Sequence, residues 1–154
     1  MIRDERLAAL NNLIEQCKDE ADLYQEAAGL TEEPALGELF TKTGRERERL
    51  ASELSTYLRQ LGDLPAAPDR DRETLEELVT RLKAALSVDK RLVLIDERLQ
   101  AEKELSSLIE SALREKMPVQ VHSFLVTMQQ NVTDTMDELA AARRRTEAGS
   151  ENEG

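Results

Sequence analysis

Cys17, Glu46 with Arg47, Glu102, and Gln129 with Asn131 are the residues of this chain whose types and positions most invite chemistry, because each falls near the middle of one of four long helical segments. Packed as a bundle, the four segments bring these residues into one central layer. The centre of a four-helix bundle is where side chains on facing helices build metal and cofactor sites. Carboxylates and imidazoles that converge there, with open coordination positions, can activate oxygen or water. This set is short of such ligands. A thiol nucleophile at Cys17 needs a neighbouring base, and the only histidine, His122, stands about 12 Å of helix rise from the layer at 1.5 Å per residue. Cys17 on a core face therefore reads as a small inert hydrophobe, its thiol pKa raised by burial. His122 reads as a surface residue at the start of the fourth helix.

Glu102 demands more explanation, since an ionised carboxylate at the centre of an apolar stripe is costly unless it is paired. Arg47 interrupts the apolar stripe of the second helix at the matching level, so the expectation is a buried Arg47–Glu102 pair. Glu46 belongs to the alternating run from Arg45 to Arg49, which reads as a solvated helix face with mutual ion pairs. No catalytic residue and no cofactor site is expected.

The elements that must position these residues are all helical. A chain of 154 residues makes one domain with one core, and with 3% aromatics and no Trp its Leu, Ala, Glu and Arg favour helix over strand. The first segment, about Asp4 to Ala28, places Leu7, Leu10, Ile14, Cys17, Ala21, Tyr24 and Ala28 at spacings of three and four, and Gly29 is expected to end it. Thr31 is expected to cap the second, with Pro34 in its first turn, running to about Leu61 with Leu36, Phe40, Thr43, Arg47, Leu50, Leu54 and Tyr57 on one face. Gly62 closes it, and the stretch to Pro68 is turn-rich.

A shorter helix, about 73–86, reads as a connector that carries the chain from one end of the bundle to the other. The third long helix, about 89–115, has Leu92, Ile95, Leu99, Glu102, Ser106, Ile109 and Leu113 on one face. The fourth, about 119–145, has Val121, Phe124, Leu125, Met128, Val132, Thr135 and Leu139, flanked by Gln129 and Asn131. Residues 1–145 thus form the bundle. Residues 146–154 carry almost no apolar side chain and are expected to be a disordered polar tail.

Charge narrows the partners. With 21 basic and 32 acidic residues, the formal charge of −11 repels phosphate backbones, so nucleic acid is not expected as a partner. The N-terminus MIRDERLAAL lacks the apolar core of a secretory signal, and the single cysteine cannot form an internal disulfide; a cytoplasmic location follows as the expectation. The longest aliphatic run, Leu92 to Ile95, is far short of the roughly 20 residues that span a bilayer, so no membrane partner is expected. Arg143, Arg144 and Arg145 suit the negative C-terminal end of the fourth helix.

Leu-Asn-Asn-Leu-Ile at Leu10 to Ile14, Tyr24-Gln-Glu-Ala-Ala, Phe40, Ala51-Ser-Glu-Leu, Leu61-Gly-Asp-Leu-Pro, Lys83-Ala-Ala-Leu and Glu102 within Ala-Glu-Lys-Glu together carry a resemblance. Over about residues 5–145 the chain resembles a bacterial ferritin-like family of four-helix-bundle proteins of unknown function. The resemblance implies an all-α bundle with a short extra helix in the crossover between helices two and three. The wider ferritin-like group binds two metals through a Glu on helices one and three and Glu-x-x-His on helices two and four. Carried over, Cys17 stands where the first Glu is expected, seven residues before Tyr24. Glu46 matches the second-helix Glu, but Arg49 replaces its histidine. Glu102 matches the third-helix Glu, and the fourth helix has no Glu-x-x-His.

The resemblance thus implies a degenerate di-iron site. The expected function is that of a non-catalytic bundle acting through its surface, on an unknown protein partner or on itself as a homo-oligomer. The alternative is a small-ligand or residual metal-binding module using Glu46 and Glu102.

Overall fold

The computed structural model describes residues 4–63, 65, 76–77, 79–80 and 90–152. Four long helices dominate: α1 (Glu5–Leu30), α2 (Pro34–Gln60), α3 (Lys90–Leu113) and α4 (Val119–Asn152). No strand occurs among the described residues.

Local signals set most of the boundaries. The Asp4 carboxylate caps α1 by accepting from the Arg6 amide at 3.0 Å. The helix runs past Gly29 to Leu30, where the Thr31 amide closes the last turn on the Ala27 carbonyl. Thr31 accordingly serves α1, and Glu33 stands at the N-cap of α2 without a side-chain hydrogen bond. Pro34 takes the first turn of α2, where its missing N–H is harmless. Gly62, at φ +90°, turns the chain out of that helix in a conformation glycine adopts without strain.

Most of the connector expected at 73–86 lies outside the described residues; Glu76, Glu77, Val79 and Thr80 are helical. At the C-terminus, where a disordered tail is expected from Thr146, α4 continues to Asn152. Thr146 is buried, and its hydroxyl donates to the Ala142 carbonyl at 2.9 Å. A polar segment can extend a helix that is already nucleated, because each added residue then fixes one backbone conformation for one hydrogen bond. The last two positions of the expected tail, Glu153 and Gly154, lie outside the described residues.

α1 packs mainly on α2 and α3 mainly on α4, while α1 also lies along α3 and α2 touches α4 least. One apolar cluster holds Leu10, Leu13, Ile14 and Cys17 with Leu50, Leu54, Leu58, Leu105, Ile109, Val121, Leu125 and Val132. The other holds Tyr24, Ala27, Leu36, Phe40, Leu94, Ile95, Leu139 and Ala142. The starts of α2 and α3 therefore share one end of the bundle and their ends share the other. The two helices run parallel, and the chain between Asp63 and Lys90 joins opposite ends.

The face α3 buries differs slightly from the expected stripe. Ile95, Arg98, Glu102, Leu105, Ile109 and Ala112 are buried, whereas Leu99, Ser106 and Leu113 sit half-buried at its edge. The α1–α2 approach is close: a Cβ added at Gly44 would stand 3.1 Å from the Cβ of Tyr24. Glycine at that position lets the α2 backbone press against the α1 side chain that supports the polar layer.

Candidate functional site

Between the two apolar clusters each helix contributes polar residues. α1 passes from Cys17 to Tyr24 through Glu20, α2 from Phe40 to Leu50 through Arg47, α3 from Ile95 to Leu105 through Arg98 and Glu102, and α4 from Val132 to Leu139 through Thr135. Arg47 and Glu102 are 0% exposed, Glu20 and Arg98 1%. Four ionisable side chains in one dry layer survive only if their charges are met.

Arg47 and Glu102 meet directly. Nη2 of Arg47 donates to Oε2 of Glu102 at 2.8 Å and Nε to Oε1 at 3.3 Å, a two-point clamp that suits the planar guanidinium. Tyr24 Oη adds a third donor to Oε1 at 2.7 Å. The remaining Arg47 valences turn to α4: Nη1 donates to Asn131 Oδ1 at 2.7 Å and Nη2 to Thr135 Oγ1 at 3.1 Å. Asn131 Nδ2 then reaches Glu46 Oε1 at 3.2 Å on the bundle's rim. Glu102 and Glu46 are thus the ends of a hydrogen-bonded chain with Arg47 and Asn131 between them, and they do not converge. Glu46 is instead clamped by Arg49, whose hydrogen bond holds its carboxyl below the usual range, and Arg49 also pairs with Glu53 at 2.7 Å.

Cys17 is buried at the edge of the layer, and burial pushes its thiol well above the usual range. Gln129 does not join the Arg47 network: its amide donates to Ser106 at 3.1 Å, and its Oε1 is buried with no donor. His122 is exposed near the start of α4. Arg143 pairs with Asp96 at 2.7 Å and with Glu147.

Two members of the layer, Glu20 and Arg98, have no counterpart in the sequence reading. Both lie on regular rows, Leu13-Cys17-Glu20-Tyr24-Ala27 and Ile95-Arg98-Glu102-Leu105, at alternating spacings of three and four, so the available signal was a charge on a row already carrying another polar residue. The Arg98 guanidinium lies over the Tyr24 ring, 5.0 Å from its centroid. Its Nη2 is 3.8 Å from Glu97, and its Nη1 has no acceptor.

Neither oxygen of Glu20 receives a hydrogen bond from a protein donor. Burial, then the charge of the neighbouring Glu102, raise Glu20 well above the usual carboxylate range, against the opposing pull of Arg47 and Arg98. An acid pair of this kind shares one proton. Glu20 is the neutral member; Glu102 is the ionised one, held low against the effect of burial by the neighbouring Glu20 carboxyl, by Arg47 and by Tyr24. Burial and the Glu102 charge in turn keep the Tyr24 phenol protonated.

The sign of the pH dependence follows. A carboxyl whose folded pKa is raised binds more protons in the native state, so its contribution is complete below the unfolded pKa of about 4.3 and declines as pH rises above it, by at most about 1.4 kcal/mol per pH unit. Glu102, with its lowered pKa, acts only as pH falls below the same value. As pH rises above about 5, outside the range where Glu102 matters, Glu20→Gln is therefore expected to gain stability on the native protein until Glu20 itself ionises in the fold. Urea melts across that window test this; parallel stability curves would mean that Glu20 is ionised in the fold.

The donor set does not fit a metal ion. The layer supplies two carboxylates, no imidazole and two guanidinium groups, and one guanidinium occupies the space that Glu102 faces. Among the described residues no group of three or more His, Cys, Asp and Glu side chains is placed to hold one. Among them, too, no helix is long and apolar enough to cross a membrane.

No curated protein matches the chain. The family described as Domain of unknown function (DUF2383) matches residues 5–116, a span that includes α1, α2 and α3 and with them Glu20, Arg47, Arg98 and Glu102, and the chain belongs to that family.

Proposed function

We propose that this protein is a ferritin-like four-helix bundle without catalytic activity, in which a buried ion-pair layer stands where metal-binding bundles hold their ions. It works through its surface, by associating with itself or with another protein. The observation that carries this reading is the place of the Arg47 guanidinium, bonded at once to Glu102, Asn131 and Thr135. A fixed cation there performs the charge neutralisation that a metal performs among carboxylates, and it offers no open coordination position at which a substrate could be activated. The parallel course of α2 and α3, with opposite ends joined between them, supports the ferritin-like topology. Fold alone confers no activity.

Elemental analysis of the purified protein, before and after incubation with iron(II) or manganese(II) and desalting, should find no stoichiometric metal. Oxygen uptake on mixing with iron(II) should match that of buffer. Two retained metals per chain, or a protein-dependent burst of oxygen uptake, would sink the reading.

A further inference from the structure

From Met117 to Thr133 the chain runs for seventeen residues without Asp, Glu, Lys or Arg, although 34% of its residues are charged. The inward side chains of this stretch account for part of that, since Val121, Leu125, Met128 and Val132 belong to the core. The outward row, Val119, Ser123, Val126, Gln130 and Thr133, is exposed and equally uncharged. Val119 is 82% exposed and Val126 49%. Single exposed apolar residues are ordinary, but a solvated helix face has no reason to exclude charge; loss of charged residues is the mark of an interface centre.

Charge also selects the occupant. The excess of acid that gives the chain its formal −11 lies off this row, so two copies repel each other least where uncharged face meets uncharged face. The row is self-complementary as well. Its spacing of four and three lines one helix face, and an antiparallel two-fold pairing centred on Val126 sets Val119 opposite Thr133 of the partner subunit and Ser123 opposite Gln130 of the partner subunit. Ser hydroxyl and Gln amide can then bond across the contact. Side chains this short allow helices to approach at about 8–10 Å.

Beside the row, the sparsely packed α2–α4 seam forms a groove of about 780 Å³ lined by Tyr57 and Phe124, whose rings are 5.2 Å apart, and by the Arg49–Glu53 ion pair of α2. The partner's rim can settle against it. Five positions from Val119 to Thr133 span about 21 Å. Two helix widths then give a footprint of roughly 400 Å² per copy, about half that of a standard stable interface.

We propose that two copies of this chain pair weakly and antiparallel through the uncharged face of α4, with Val126 on the two-fold axis. This pairing names the partner within the surface-acting reading above and rests on it.

Sedimentation from micromolar to near-millimolar protein should show a monomer giving way to a dimer. Val126→Asp should raise the dimer dissociation constant about tenfold or more, with helix content and thermal melt unchanged because Val126 lies outside the core. Val126→Cys should form a disulfide-linked dimer on mild oxidation, while Ser107→Cys, exposed on α3, should not; Cys17 is buried and stays out of the reaction. A monomer at every concentration, with no cross-link through position 126, would overturn the pairing. A dimer that Val126→Asp does not weaken and Val126→Cys does not lock would overturn this face while leaving self-association intact. Retained metal would instead defeat the non-catalytic reading without bearing on the face.

Discussion

Replacing Arg47 by Met is expected to cost about 3–5 kcal/mol, because it strands an ionised carboxylate with both side chains of the former pair fully enclosed. Of the donors described above, Glu102 would keep Tyr24 alone. Glu102→Leu should cost less than Arg47→Met. Once the Glu102 charge is gone, the repulsion that helps keep Glu20 neutral disappears, and the two guanidiniums favour its ionisation. Glu20 then becomes a replacement counter-ion. Adding Glu20→Gln to Glu102→Leu should abolish that rescue and bring the loss up to that of Arg47→Met.

The double variant Arg47→Met with Glu102→Leu should be near neutral or stabilising, since apolar groups of similar volume avoid both desolvation costs. Urea unfolding analysed by linear extrapolation gives each value. Losses that simply add would show that the two residues do not act as a unit.

Tyr24 should give the next largest effects, and two substitutions separate its roles. Tyr24→Phe removes only the hydroxyl that donates to Glu102 at 2.7 Å, a hydrogen bond to a charged group worth about 1.5–3 kcal/mol. Tyr24→Ala also removes the ring, which packs 6.0 Å from Phe40 and carries the Arg98 guanidinium over its face. Truncating a buried aromatic costs about 3–5 kcal/mol by itself, so this variant should fall well below the first. The loss has two sources. One is the cavity left beside Phe40, and the other is the uncovered Arg98, which already has a guanidinium nitrogen without an acceptor. Equal melts for the native protein and Tyr24→Phe would mean that Arg47 alone satisfies Glu102.

Much of this layer was legible before any coordinates. Arg47 and Glu102 each interrupt an otherwise apolar row near the middle of a long helix, and two opposite charges at one level of a core can hardly do other than meet. The helices themselves were legible from spacing and from Pro34 and Gly62, because first-turn prolines and breakers act within one turn of the residue that carries them. Glu20 and Arg98 were not. Each is one residue from an apolar position on a competing row, Ala21 and Leu99, and how deeply each of the two is buried depends on a rotation of the helix by less than one residue. On α3 that rotation brought Arg98 inward and left Leu99 at the edge.

The sequence by itself determined that the chain is helical, where three of its helices turn or stop, and that one charge pair must be reconciled with an apolar interior. It also displayed the uncharged stretch of α4, a feature of composition that needs no fold to be seen. Only the tertiary structure decided that Asn131 and Thr135 complete the Arg47 site, that Gln129 belongs with Ser106, and that Glu20 is buried against the Glu102 charge. Helix propensity and periodicity act between neighbours three or four residues apart, whereas the protonation of a buried acid depends on which charges other helices, distant in sequence, bring against it.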